Sequence, residues 1–388
     1  MDGAKTSWYR DERVLKAAGQ LIFVLLLGAL IWFLIGNMLD AMRRQGLTLG
    51  FGFLRSTAGF DIGETLIPYT RASSFFRAFL VGLVNTLQVS AAGIVLATII
   101  GFIAGVARLS NNFLVRGIAR VYIEFLRNVP LLVFLIFLYI GVFIKLPRVN
   151  QAVILPGPVY LTNRGVAIPW GEPTATFPTY LALLAGALAL AVLVGVLLHR
   201  RGRATGRPPL VVGWSLGAFV LAATLAWIVL PTAPLALTLP QQQGLRLAGG
   251  LVLSPEFMAL LAGLAIYTSA FIADVVRAGI QAIPHGQVEA AHSLGLSGLL
   301  TLRLIVLPQA LRVIVPPLTS QYLNLTKNSS LAVAIGFPEL FHVSGTILNQ
   351  SGRTVEVITL AMATYLLLSL LTSAFMNWYN HRVRLVER

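Results

Sequence analysis

Cysteine is absent from all 388 residues. That removes disulfides, thiolate metal sites and cysteine nucleophiles, and it leaves the redox compartment undetermined. Charge is scarce as well: 11% of the residues are charged, where soluble globular domains carry about a quarter. Lysine occurs only at Lys5, Lys16, Lys145 and Lys327, and none of these follows a glycine. The Gly-Lys-Ser/Thr loop that cradles nucleotide phosphates is therefore missing. The five histidines show neither an i, i+4 pair nor a metal-ligand spacing. No tandem repeat or low-complexity tract is present.

What remains is apolar and basic. Hydrophobic residues make up 57% of the chain, mean hydropathy is +0.81, and the formal net charge is +15 with a pI of about 10.9. A basic chain can bind nucleic acid, but these basic residues are dispersed in short clusters between long uncharged runs. That pattern suits cytoplasmic anchors beside membrane spans and excludes a nucleic-acid partner. The composition predicts one polytopic membrane domain in contact with lipid.

A helix needs ~20 mostly apolar residues to span a bilayer. Candidate spans are Gly19–Leu39, Phe79–Ala107, Val129–Ile144 (extended back to Tyr122), Tyr180–Leu198, Leu210–Leu230, Phe257–Ile280, Leu311–Ala334 and Val357–Phe375. About eight spans result. The polar stretch from Met1 to Ala18 precedes a run long enough to span, so the first span reads as an uncleaved helix rather than a signal peptide.

Lys5, Arg10, Arg13 and Lys16 place the N-terminus inside by the positive-inside rule. Counting alternately, Arg108, Arg116 and Arg120 fall inside, as do Arg200, Arg201, Arg203 and Arg207, and then Arg382, Arg384 and Arg388. Both termini read as cytoplasmic. The first outside loop, with Arg43, Arg44, Arg55, Arg71 and Arg77, runs against the bias. Residues 146–178 and 231–255, rich in Pro, Gly and Thr, read as outside loops. Gly101 and Gly105 have the spacing of close helix packing, or of ordinary glycine tolerance in a membrane helix.

One inside segment carries a dense pattern. It reads Ile283-Pro284-His285-Gly286-Gln287-Val288-Glu289-Ala290-Ala291-His292-Ser293-Leu294-Gly295, then nine residues, then Ile305-Val306-Leu307-Pro308. Pro284 suits the first turn of a helix, and Gly295 suits a left-handed cap that turns the chain back. Such a piece is either a rigid knob offered to a soluble partner or an ordinary loop with one helical turn. His285 and His292 read as polar surface residues of that loop.

The spacing resembles the EAA motif, Glu-Ala-Ala-x3-Gly-x9-Ile-x-Leu-Pro, of permease subunits of ABC importers, and it matches at every defined position. The resemblance implies that Glu289, Ala290, Ala291 and Gly295 form the coupling helix that docks on an ATP-hydrolysing subunit. Other stretches resemble the polar amino acid permease group: Gly82–Leu87, Tyr122–Leu132, Tyr267–Ile280 and Lys327–Leu331. Ala58–Ile67 is similar to the larger, Q-type subunit of general L-amino acid permeases, and the length of the chain fits that subunit. The implied fold is all-α, with the type I importer arrangement of about five core spans plus extra helices. Residues 1–75 would hold the N-terminal segment, first span and outer loop, and 76–144 the first part of the core. Residues 145–254 would be an insertion with two spans, and 255–388 the rest of the core with the coupling loop at 283–308.

The implied function is a membrane subunit of an ATP-driven importer of polar L-amino acids, including Glu, Gln, Asp and Asn, in a bacterial inner membrane. The implied partners are an ATPase dimer carrying the ATP and magnesium, a second homologous permease in a heterodimer, and a periplasmic amino acid-binding protein. This chain would itself be no enzyme and hold no cofactor. A self-sufficient secondary transporter is the alternative, although it usually places carboxylates or histidines along several spans.

Lys327 is an ionisable group inside a span, beside Asn324, Asn328, Ser329 and Ser330. Intramembrane charge is costly and marks function by default, so these five residues are candidates for the substrate pathway. The other reading is a lysine snorkelling to the interface. Pro316-Pro317 and Gly336-Phe337-Pro338 could break the helix on either side. Relatives often carry an acid after this lysine; here it is Asn328. Asp274 with Arg277, and Glu124 with Arg127, read as ion pairs three residues apart. Gly213-Trp214-Ser215-Leu216-Gly217 fits a nucleophile-elbow pattern, but that requires a strand, a strained turn and a helix. Ser215 instead falls inside an apolar run of helical length.

Overall fold

The computed structural model describes residues 12–44, 50–205, 210–244 and 246–383. Lys5, Arg10, Arg207, Arg384 and Arg388 lie outside the described residues, as do the side chains of Arg13 and Arg203.

Long apolar helices dominate, because in lipid every backbone polar group must be satisfied within the segment. They are α1 (Glu12–Arg44), α2 (Phe75–Ala107), α3 (Phe113–Asn128), α4 (Leu131–Ile136, continuing as a π-helix to Phe143), α5 (Phe177–Thr205), α6 (Val211–Val229), α7 (Pro255–Gln281), α8 (His285–Ser293), α9 (Gly298–Thr301), α10 (Leu307–Asn328), α11 (Leu340–Ser351) and α12 (Thr354–Val383). Among the described residues seven helical stretches are long and apolar enough to cross a membrane, or eight if the bent pair α3–α4 is counted as one. The expected all-α frame of about eight spans is therefore present.

α2 and α7 form the spine, in contact along most of their length. Gly101 and Gly105 make this possible. A Cβ on Gly101 would come within 2.7 Å of Ile272, and one on Gly105 within 2.7 Å of the Ala273 carbonyl. The glycine spacing is thus a packing device. Around the spine, Val89, Leu135, Leu260, Leu264, Ile272, Val276, Ile314 and Leu325 form the main core. A second cluster ties α11 to the start of α2 through Phe75, Phe79, Leu340, Val343 and Ile347.

Several expectations are corrected. The third span is not one helix reaching back to Tyr122: the chain bends by 107° between α3 and α4. Val129 and Pro130 are extended there, as expected where proline forbids the preceding residue a helical conformation. Pro316 and Pro317 do not break the seventh span; α10 runs through both, and the chain continues as a 3-10 helix, Ser329–Ile335, that ends at Gly336 with φ +81°. The two outside stretches are not merely loops. They fold into short antiparallel strands, β1 (Val153–Leu155), β2 (Val159–Thr162), β3 (Gly165–Ile168), β4 (Trp170–Pro173), β5 (Leu235–Thr238), β6 (Gln241–Gln243), β7 (Arg246–Ala248) and β8 (Leu251–Leu253). One sheet has the order β1-β2-β3-β8, with Val166 opposite Leu253. β4 and β5 pair at the base of the α5–α6 hairpin, with Gly171 opposite Leu237.

Candidate functional site

α8 begins at Pro284, whose φ of −57° and extended ψ cap it, and Gln287 N donates to the Pro284 carbonyl at 3.0 Å. At its far end Gly295 takes φ +77°. Gly295 N donates to the His292 carbonyl (2.9 Å) and Leu296 N to the Ala291 carbonyl (3.1 Å). Those two bonds are a Schellman closure, and the positive φ is why glycine stands there. Ala291 is buried, and α8 rests on the segment Leu302–Val306. Glu289 and Ala290 face outward, and so do His285 and His292. The result is a small, rigidly closed helix whose outer surface is a carboxylate beside an alanine. Leu294 (82% exposed) and Leu299 (77%) stand next to it with no cover. Sequence reasoning missed both leucines, because single leucines in an apolar chain carry no pattern.

At the other end of α10, Lys327 is exposed and shares with Ser330 the rim of an apolar groove of about 520 Å³ between α11 and α12. Tyr365 also lines it, and its hydroxyl donates to Glu339 at 2.6 Å. Glu339 is fully buried and accepts from Phe341 N (2.8 Å) and His342 N (2.7 Å), capping α11. Nothing in the sequence pattern had singled it out. The five pathway candidates separate. Ser329 is buried and bonded to the Thr326 carbonyl (2.8 Å), Asn328 is half-buried, and Asn324 is exposed away from the groove lining. Only Lys327 and Ser330 meet in one cavity.

Glu124 and Arg127 do not pair. Arg127 bonds Asp274, 147 residues away, while Glu124 accepts from Arg120 at 2.8 Å and lies 3.5 Å from Arg108. The reason is directional: the bend after Asn128 aims Arg127 at α7. The Asp274–Arg277 contact is present at 3.5 Å. At the opposite end of α7, Tyr139 donates to Glu256 at 2.7 Å. A polar pocket of about 280 Å³ lies near it, lined by Asp61, Glu64, Ser254, Glu256 and His342. Glu64 accepts from Ser254 Oγ at 2.5 Å, and burial pushes its carboxyl above the usual range. Arg71 beside Asp61 holds that carboxyl below the usual range.

Ser215 sits inside α6, four residues past its start, rather than at a strand-to-helix turn, so the elbow geometry is absent. No group of three or more His, Cys, Asp or Glu able to hold a metal occurs among the described residues.

Residues 187–385 match the family described as binding-protein-dependent transport system inner membrane component. The general L-amino acid transport system permease protein AapQ of Rhizobium johnstonii is 46% identical, over 95% of this chain and 92% of its own length. The glutamate/glutamine/aspartate/asparagine transport system permease protein BztB of Rhodobacter capsulatus is 39% identical, over 97% and 96%. A chain from the crystal structure of an amino acid ABC transporter with histidines overlaps 79% of this chain and 95% of its own at 21% identity and a TM-score of 0.48. The sequence matches, covering half the chain in one case and nearly all of it in the others, place this chain in the family of binding-protein-dependent transport system inner membrane components.

Proposed function

We propose that this chain is the membrane-spanning permease subunit of an ATP-driven importer carrying polar L-amino acids, with glutamate, glutamine, aspartate and asparagine in its range, across a bacterial inner membrane. ATP and magnesium are held by a separate ATPase dimer, since the chain has no phosphate loop of its own. A second, homologous permease completes the membrane portion as a heterodimer, and a periplasmic binding protein delivers the amino acid. Both termini are cytoplasmic, on the side where α8 projects.

The observation that carries this reading is α8. Its helix is closed at both ends and seated on the Leu302–Val306 segment, so a push on Glu289 and Ala290 moves the foot of α10 rather than bending a loop. Closure of the ATPase dimer then biases the spans between inward- and outward-facing states. That is an energetic coupling between two sites, not mere contact. Ala291 packs the knob down, and Gly295 fixes its exit. A side chain at Gly295 costs about 1–2 kcal/mol in the left-handed conformation. Gly295→Val and Glu289→Lys are therefore expected to abolish or sharply lower the stimulation of ATPase activity by substrate-loaded binding protein in the reconstituted complex. Insertion into the membrane should be normal. Full stimulation in both variants would contradict the coupling role.

Lys327 is assigned to the substrate pathway, where its ammonium pairs with a substrate carboxylate at the mouth of the apolar groove. Ser330 is its neighbour there, and Ser329, bonded to the Thr326 carbonyl, supports the end of α10. Lys327→Met is expected to reduce amino acid uptake at least tenfold while the complex still assembles. Unchanged uptake would leave Lys327 as a lysine snorkelling to the interface.

A further inference from the structure

α3 divides into three stripes. Leu114, Ile118, Val121 and Phe125 recur at helical spacing and are 59–71% exposed among the described residues. Ala119, Ile123 and Leu126 form a buried stripe in a helix that packs on α7. Arg116, Arg120, Glu124 and Arg127 occupy the remaining arc. So strong a segregation, with arginines on the polar side, belongs to helices that lie in a membrane interface rather than cross it.

The level of α3 is fixed independently. Arg127 is held at Asp274, and Tyr139 at Glu256, eighteen residues earlier on α7. At 1.5 Å per residue that separation is about 27 Å, close to the ~30 Å hydrocarbon thickness. Asp274 thus marks one boundary of the hydrocarbon, and it is the boundary nearer α8. α3 meets the following helix at 107°, so it runs along that boundary rather than through it. The exposed stripe is itself a shallow, open apolar groove on the surface of α3, lined by Phe113, Leu114, Gly117, Ile118, Val121 and Tyr122. Nothing charged lines that groove. On the other side, Arg108 and Arg120 share a single carboxylate, Glu124, while Arg116 donates to the Ser110 carbonyl at 3.1 Å, an arginine excess that complements lipid phosphate.

We propose that α3 is an interfacial helix seated in the leaflet on the α8 side, with acyl chains against Leu114, Ile118, Val121 and Phe125 and lipid phosphates against Arg116 and Arg120. The helix anchors the foot of α4 at the level where α8 projects, and it does so whatever the transported substrate.

Because the chain has no cysteine, single labels test this directly. Ile118→Cys, Val121→Cys and Arg116→Cys would each carry a nitroxide in the assembled transporter, reconstituted in nanodiscs of equimolar phosphatidylcholine and phosphatidylglycerol. The labels at 118 and 121 are expected to collide more with oxygen than with a water-soluble nickel chelate. The label at 116 is expected to show the reverse preference. Equal nickel access at 116, 118 and 121 would mean that the stripe faces water. Shielding of 118 and 121 from both reagents would mean that another subunit covers it. Either result overturns the proposal.

Discussion

Gly101 and Gly105 show how a two-residue signal becomes structure. Each admits the facing helix so closely that any Cβ would overlap its atoms, and overpacking of this kind costs about 1–3 kcal/mol. Gly101→Ala is expected to lower the thermal midpoint of the purified protein, and Gly105→Val to lower it more; unchanged midpoints would mean α2 and α7 are not in contact there. Glu64, outside the spans, tests the polar pocket. Its carboxyl is raised above the unfolded value of 4.5 by burial, with Glu256 adding to the effect. The folded state therefore holds the proton more tightly, and this group's contribution is present below pH 4.5 and lost as pH rises through the raised value. Glu64→Gln keeps the hydrogen bond without the charge. Its midpoint should gain on that of the unmodified protein as pH rises above 4.5, whereas parallel curves would contradict the buried carboxylate. Legibility at this scale depends on sequence distance. The glycine pair and the positive φ of Gly295 follow from local spacing. The partner of Arg127 does not, because the pairing is decided by a bend and by a helix 147 residues away.

Among the elements, long apolar runs were readable because lipid leaves the backbone no other solution. The break in the third span was only half readable. Proline at 130 was visible, but the apolar residues interleaved with the charges of α3 lead on into the apolar run after it and mask a right-angled turn, and only the stripe pattern of α3 distinguishes crossing from lying flat. The eight strands escaped for a different reason. Each has three or four residues, and the central sheet closes only when β8 returns beside β3, some eighty residues later. The Arg127–Asp274 contact should hold the α3–α4 corner against α7. With Arg127 half exposed, the pair is expected to contribute about 1 kcal/mol. A double-mutant cycle of Arg127→Met and Asp274→Asn, read by thermal denaturation, should return a coupling of that order. Zero coupling would place the corner's stability in Leu126 and Leu131 alone.

For the whole molecule, the core built on α2, α7, α10 and α11 and the β4–β5-bounded hairpin make separate demands. α5 and α6 pack chiefly on each other, with Tyr180 edge-on to Trp227 at 5.4 Å. Since Gly171 pairs directly with Leu237, an Asn-Gly turn can replace the residues between them. The shortened chain is expected to insert and to keep its thermal midpoint within a few degrees; loss of the protein from the membrane would show that the hairpin supports the core. The frame of spans and the short helix closed by Gly295 were legible in the sequence; the groove at Lys327 was not, because it forms only when α10, α11 and α12 meet. The central claim is that a separate ATPase drives this chain through α8. Purification of the tagged chain from native membranes, with cross-linking from position 289, tests it most directly. The expected companions are a P-loop ATPase cross-linked at that position and a second permease bearing an EAA loop. Recovery of the intact chain alone, with uptake that needs no ATP, would contradict it and identify a self-sufficient transporter.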